Sequence, residues 1–180
     1  DDLKNDKINE KRKNEVLRLL SAQIMLSDVS PIQVQISQFY GIEINDFAVT
    51  VAKTALWIAE SQMMKETEDV VHMALDFLPL KSYANITEAN ALREDWPRTD
   101  YIMGNPPFVG ARMMGAEQKD DVNAIFPGWK NAGNLDYVSC WYKKASDLMT
   151  GTSIRAALVS TNSVTQGEAV ANLWKPLFEA

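Results

Sequence analysis

Two consecutive prolines directly after an apolar run constrain this chain more than any other feature. Within the stretch 99–110, Tyr101-Ile102-Met103 reaches Gly104, and Asn105-Pro106-Pro107-Phe108 follows at once. A proline has no amide hydrogen for a sheet ladder and confines the residue before it to extended backbone. A buried strand is therefore predicted to stop at Gly104, leaving Asn105 and Phe108 at its carboxyl end. In an open α/β sheet that end is where ligands bind, so an amide and a stacking ring are expected to stand rigidly over a cleft.

The rest of the chain alternates in the same way. Phe39-Tyr40-Gly41-Ile42-Glu43-Ile44 reads as a strand ending in a carboxylate. Asn45 or Asp46 then caps a helix whose apolar face is Phe47, Ala48, Val51, Ala52, Ala55, Ile58 and Ala59. A carboxylate at such a strand end is placed to accept both hydroxyls of a ribose, although Glu43 reads equally well as an exposed charge. Residues 63–84 are poorly patterned, and Met63, Met64 and Met73 read as packing residues. A strand is expected near Asn85 to Thr87, followed by Asn90-Ala91-Leu92. Asn90 taken alone is a turn residue, yet its amide carries the donor and acceptor that suit an adenine edge.

Residues 110–134 read as a long binding loop containing Met113, Met114, Phe126 and Trp129. Asn134-Leu135-Asp136 precedes an amphipathic helix through Tyr137, Val138, Trp141, Ala145 and Met149 that stops at Gly151. Ile154 to Ser160 reads as a second buried strand, and Gln166-Gly167 opens a last helix with Val170, Leu173, Trp174, Leu177 and Phe178 on its apolar face. Ahead of all this, residues 5–25 predict a helix with a solvated front half, Ser27 to Pro31 a break, and Ile32 to Ser37 a short element. The expected organisation is thus a helical segment over residues 1–36 and an α/β core over 37–180, with a mostly parallel sheet.

Composition bounds the chemistry. The 180 residues are 46% apolar and 23% charged, which suits one globular domain with a real core. No apolar run approaches the ~20 residues that span a bilayer, and the start lacks signal-peptide character, so a soluble cytoplasmic protein with no membrane partner is expected. One cysteine, Cys140, excludes an internal disulfide, and with the single histidine, His72, it leaves no cluster for zinc. Cys140 reads as a buried small hydrophobe and His72 as a surface or packing residue. A net charge of −6 means that if DNA is the partner, most of the grip must lie outside these residues.

Gly41-Ile42-Glu43-Ile44-Asn45, then Asn90-Ala91-Leu92, then Asn105-Pro106-Pro107-Phe108 resembles the class I, S-adenosylmethionine-dependent DNA adenine-N6 methyltransferases. More narrowly, residues 39–59, 134–141 and 158–167 are similar to the combined restriction-modification enzymes of the MmeI type, and the likeness covers roughly residues 15–180. The resemblance implies a Rossmann-like sheet with flanking helices. It also implies that Glu43 holds the cofactor ribose, that Ile44 packs on the cofactor adenine, and that Asn90, with Ala91 beside it, meets the exocyclic amine. Asn105 and the Pro106 carbonyl would accept from the target adenine amine, with Pro107 stiffening the turn. Phe108 would stack on that base once it is flipped from double-stranded DNA. Such chemistry needs neither a metal nor a covalent intermediate, since most of the catalysis is positioning and electrostatics.

One departure is informative. The glycine-rich cofactor loop of that family should precede the Glu43 strand, yet residues 1–38 contain no glycine. The expectation is a partial catalytic domain without the first strand and its loop, inactive by itself and prone to self-association through exposed strand edges. Asn-Pro-Pro-Phe has near variants in methyltransferases acting on RNA or on protein glutamine, so those substrates, or a non-catalytic interaction module, are the alternatives.

Overall fold

The computed structural model describes residues 10–16, 18–19, 32–71 and 84–179, which divide into two compact units, residues 1–89 and 90–180. Residues 10–16 and 18–19 are helical, as the sequence predicts. Ser27 to Pro31, His72 and Met73 lie outside the described residues. The short element expected over Ile32 to Ser37 is a single 3-10 turn, Ile36–Gln38.

In the first unit, β1 (Tyr40–Glu43) pairs in parallel with β2 (Asn85–Glu88), with Glu43 opposite Glu88. Between them runs α1, Asp46–Val71. Its N-terminus is resolved in favour of Asn45, whose Oδ1 accepts the Ala48 amide at 3.0 Å, a cap worth about 1 kcal/mol. Asp46 accepts the Phe47 amide beside it.

Two expectations fail on α1. It continues through residues read as unpatterned, and its buried side is not the predicted one. Val49 is buried and Ala48, Ala52 and Leu56 are partly covered, whereas Phe47, Val51, Ala55, Ile58 and Ala59 are exposed. The helix carries apolar residues around most of its circumference, so two overlapping stripes satisfy the 3.6-residue period and only packing against β1 and β2 selects one. Met63 is exposed rather than packed.

In the second unit, β3 (Tyr101–Gly104) pairs in parallel with β4 (Arg155–Leu158), Gly104 facing Leu158. These strands are not buried on both sides as the apolar runs suggest. Ile102 and Leu158 are partly covered, while Tyr101 and Met103 project into solvent. A two-stranded ribbon sends alternate side chains to opposite faces, and the helices of this unit cover one face only.

Nor is 110–134 a structureless loop. Gly115 donates its amide to Gln118 Oε1 at 3.0 Å, closing the first turn of α2 (Ala116–Ile125), and 3-10 turns cover Ala111–Met113 and Ala132–Asn134. Met114 and Phe126 join the core while Met113 stays exposed. The core gathers Leu92, Val122, Leu135, Val138, Cys140, Val164 and Leu173 around α2 and α3 (Ser139–Met149). Each fully buried leucine contributes about 1.5–3 kcal/mol. Gly151, at φ +69°, stops α3 as predicted.

The last helix departs from regularity. Pro176 lacks an amide hydrogen and its ring crowds the preceding turn, and Val170–Trp174 forms a π turn in which the Lys175 amide reaches back to the Val170 carbonyl. A short α4, Lys175–Glu179, follows. This turn buries Leu173 but leaves Val170 and Phe178 exposed. Among the described residues no helix is long and apolar enough to cross a membrane.

Candidate active site

The Asn105-Pro106-Pro107-Phe108 segment is an arch fastened at both ends. On the strand side, the Val159 amide donates to the Gly104 carbonyl at 2.9 Å, the last bond of the β3–β4 ladder. A Cβ at Gly104 would stand 3.2 Å from Leu158 Cδ2, so the close approach of the two strand ends favours glycine there. On the far side, the Val109 carbonyl accepts the Tyr137 amide at 2.8 Å, and the Ala111 amide donates to Asp136 Oδ1 at 3.1 Å. Between these anchors Pro106 is buried, Asn105 and Pro107 are exposed, and Phe108 is half exposed. No hydrogen bond within the described structure engages the Asn105 amide, so its oxygen is free to accept from a ligand.

Asp136 ties the arch to the segment after β4. Its other oxygen accepts the Ser163 hydroxyl at 2.9 Å, Ser163 meets the Thr161 hydroxyl at 2.7 Å, and Tyr142 meets Ser160 at 2.9 Å. Asp136 also borders a polar pocket of about 180 Å³ with Asn134, Ser139, Ser163, Gln166 and Glu168. The Ser139 hydroxyl there is buried and has no hydrogen-bond partner among the described residues.

The second cluster centres on Asp121, a residue the sequence did not single out. Asp121 is buried, 4% exposed as a residue. It accepts the Tyr137 hydroxyl at 2.6 Å, Arg93 Nε at 2.8 Å and Asn90 Nδ2 at 3.0 Å. Burial pushes its pKa up, but the three donors and the Arg93 charge outweigh burial and hold it below the usual range. Burial and the neighbouring carboxylate in turn raise the Tyr137 phenol.

A depressed folded-state pKa stabilises above the unfolded value of about 3.9 and is lost as pH falls through the folded value. Acid unfolding followed from pH 7 to 2 is expected to begin near pH 4 and to flatten in Asp121→Asn; an unchanged slope would remove Asp121 as a contributor. The signal that could have found Asp121 is a carboxylate beside Val122 on the apolar side of α2, where a charge is expensive unless paired.

Asn90 opens a turn, as its residue type taken alone predicts, its carbonyl accepting the Arg93 amide at 2.9 Å. Its Oδ1 accepts the Leu92 amide at 2.9 Å, which leaves one lone pair on the oxygen and one N–H on the nitrogen. The turn is pinned further by Trp96 Nε1 on the Ala91 carbonyl at 2.7 Å and by Lys144 on the Glu94 carbonyl at 2.6 Å. Ala91 therefore holds the turn together through its carbonyl.

Tyr137 connects the two clusters, its hydroxyl on Asp121 and its backbone amide on the arch. In the first unit, Glu43 is partly buried at the end of β1, with Oε1 accepting the Asn45 amide at 3.0 Å and Oε2 uncommitted in the described structure. Ile44 beside it is exposed. The site residues thus fall on both units, Glu43 and Ile44 on one, Asn90, Ala91 and the arch on the other.

The model of the MmeI DNA-methyltransferase domain matches residues 5–180. The chain belongs to this family. It is 45% identical over 155 residues to DNA methyltransferase A of Bacillus subtilis (strain 168), covering 81% of this chain and 18% of that protein. It is also similar to the type IIL restriction-modification enzyme MmeI, solved in complex with DNA, at 42% identity with a TM-score of 0.76, over 82% of this chain and 21% of that one. The chain thus spans about a fifth of the length of these relatives.

Cys140, in the core of this MmeI-family chain, is fully buried as the sequence predicts, and burial raises its thiol to about 12. No reaction with a thiol reagent at pH 8 is expected under native conditions, with full labelling in denaturant; native labelling at the denatured rate would contradict this packing.

Proposed function

We propose that the full-length protein is an S-adenosylmethionine-dependent DNA methyltransferase of a restriction-modification system, acting on the N6 amine of adenine. On this reading residues 37–180 are part of a Rossmann-like catalytic core and residues 1–36 a helical segment preceding it. The observation that carries the proposal is the arch, an uncommitted amide oxygen and a half-exposed ring held between two anchors at a strand end in a member of this family.

The residues available suit the cofactor. Asn90 keeps an acceptor for an adenine amine, and Glu43 keeps an oxygen for a ribose hydroxyl. When bound, S-adenosylmethionine supplies an electrophilic sulfonium methyl group. The chain's task is to make a poor nucleophile competent. The lone pair of an adenine amine is delocalised into the ring, and acceptors at its two protons, Asn105 Oδ1 and the Pro106 carbonyl, draw the nitrogen towards tetrahedral geometry. Phe108 stacks on the flipped base and holds it in place, and most of the rate gain comes from this positioning.

Incubating the full-length protein with cofactor and unmethylated duplex DNA, then digesting the DNA for mass spectrometry, tests the proposal. N6-methyladenine is the expected product; label transferred only to RNA or to a protein amide would replace the substrate, and no cofactor binding by calorimetry would leave a non-catalytic module. Within the proposal, Phe108→Ala is expected to weaken capture of the flipped base by about 1–3 kcal/mol. Glu43→Ala should instead weaken cofactor binding. A measured exchange of the two effects would reverse the assignment of the two pockets.

A further inference from the structure

We infer that Asp121 is a positioning residue that fixes which way the Asn90 amide faces, and thereby makes the cofactor site prefer a 6-amino over a 6-oxo purine. The inference rests on the proposed role of Asn90 in binding the cofactor's base.

The two ends of a side-chain amide differ only in their hydrogen-bonding sense, so the surroundings decide the orientation. An ionised carboxylate can only accept. The atom of Asn90 that lies 3.0 Å from Asp121 Oδ2 must therefore be the nitrogen. The Leu92 amide at 2.9 Å can only donate, and favours the oxygen at the other end, in the same sense as Asp121 but with a single neutral bond. Turning the amide over would set oxygen against carboxylate and N–H against N–H, two repulsive contacts.

Asp121 can impose this because it is itself immobile. The Tyr137 hydroxyl and Arg93 Nε hold its two oxygens, and at 4% exposure little solvent competes for them. The three donors keep it ionised at neutral pH. The remaining lone pair of Asn90 Oδ1 is consequently a fixed acceptor. A 6-amino group donates to it, whereas a 6-oxo group would meet it lone pair to lone pair. In Asp121→Asn, Arg93 Nε can only donate and retains the oxygen of the new amide, so its NH2 group faces Asn90. The original Asn90 orientation then keeps the Leu92 bond but sets N–H against N–H, the reversed one satisfies residue 121 but opposes Leu92, and neither is fixed.

The test uses the full-length protein and measures equilibrium binding of S-adenosylmethionine and of its analogue with hypoxanthine in place of adenine. The wild type is expected to favour the amino form by about tenfold or more, the usual cost of leaving a polar group of the site unsatisfied. In Asp121→Asn, with folding checked by circular dichroism, that ratio should fall towards one, through weaker binding of the amino form and stronger binding of the oxo form. A purely structural role would weaken both ligands equally and keep the ratio. Tyr137→Phe leaves the Asp121–Asn90 bond in place and should retain the preference.

A folded Asp121→Asn with the wild-type ratio overturns the role of Asp121. Equal binding of both ligands by the wild type overturns the fixed-amide argument without any variant having to fold. Binding of neither by the wild type overturns the cofactor reading of Asn90 itself, and the inference with it.

Discussion

Asn105→Ala in the full-length protein is expected to lower adenine methylation by about 10²–10³-fold while leaving cofactor affinity unchanged, the loss typical of removing one prearranged polar group from a reacting centre. The expectation follows from how little else Asn105 does. Its amide is exposed and makes no hydrogen bond among the described residues, so truncation breaks no internal contact. The arch stays fastened by Val159 to Gly104, by Tyr137 to Val109 and by Asp136 to Ala111, none of which involves the Asn105 side chain. The loss should therefore appear in kcat rather than in stability or in the KM for the cofactor. Rates measured under single-turnover conditions separate these cases, and a variant that keeps wild-type turnover would move the amine-binding role away from the arch.

Leu135→Ala is expected to cost about 2–5 kcal/mol of stability, as removing a buried leucine leaves a cavity that neighbours fill only in part. Leu135 is 1% exposed and packs within the core cluster that includes Phe126, Tyr137, Val138 and Leu173. It also directly precedes Asp136 and lies two residues before Tyr137, the residues that fasten the arch. The substitution should thus weaken the fold and loosen the arch together, and a second-site change restoring core volume should recover both. Urea unfolding followed by tryptophan fluorescence reads the first effect, with Trp129 and Trp141 packed on the core as reporters. A cost below about 1 kcal/mol would mean that the core relaxes into the vacancy.

Much of the architecture was legible from local rules. Gly104 followed by two prolines ends a strand whatever the surroundings, because proline cannot donate to the ladder. Glu43 at a strand end, a helix cap at Asn45 or Asp46 and Gly151 as a helix stop are likewise set by short-range geometry, and the structure chose Asn45. Two of the misreadings share one physical origin. The apolar residues of α1 fit two helical stripes, and the apolar runs of β3 and β4 fit burial on one face or on two, so periodicity limits the choices without selecting among them. The helix at 116–125 is masked in the sequence by flanking glycines, prolines and aromatics that suggest a loop, although Ala116-Glu117-Gln118-Lys119 are good helix formers.

The candidate site divides along the same line. The sequence by itself determined which side chains are offered at the strand ends, Glu43, Asn90 and the Asn105 to Phe108 segment, because each is set by the turn chemistry next to it. Tertiary structure alone decided what holds them. The bonds from Asp121 to Asn90 and Tyr137, and from Asp136 to Ala111 and Ser163, join residues 16 to 31 positions apart. Contacts over such separations leave no trace in local periodicity. They exist because a buried or half-buried carboxylate must collect donors wherever the fold brings them, and here that requirement fixes both the amide at residue 90 and the arch at residues 105–108.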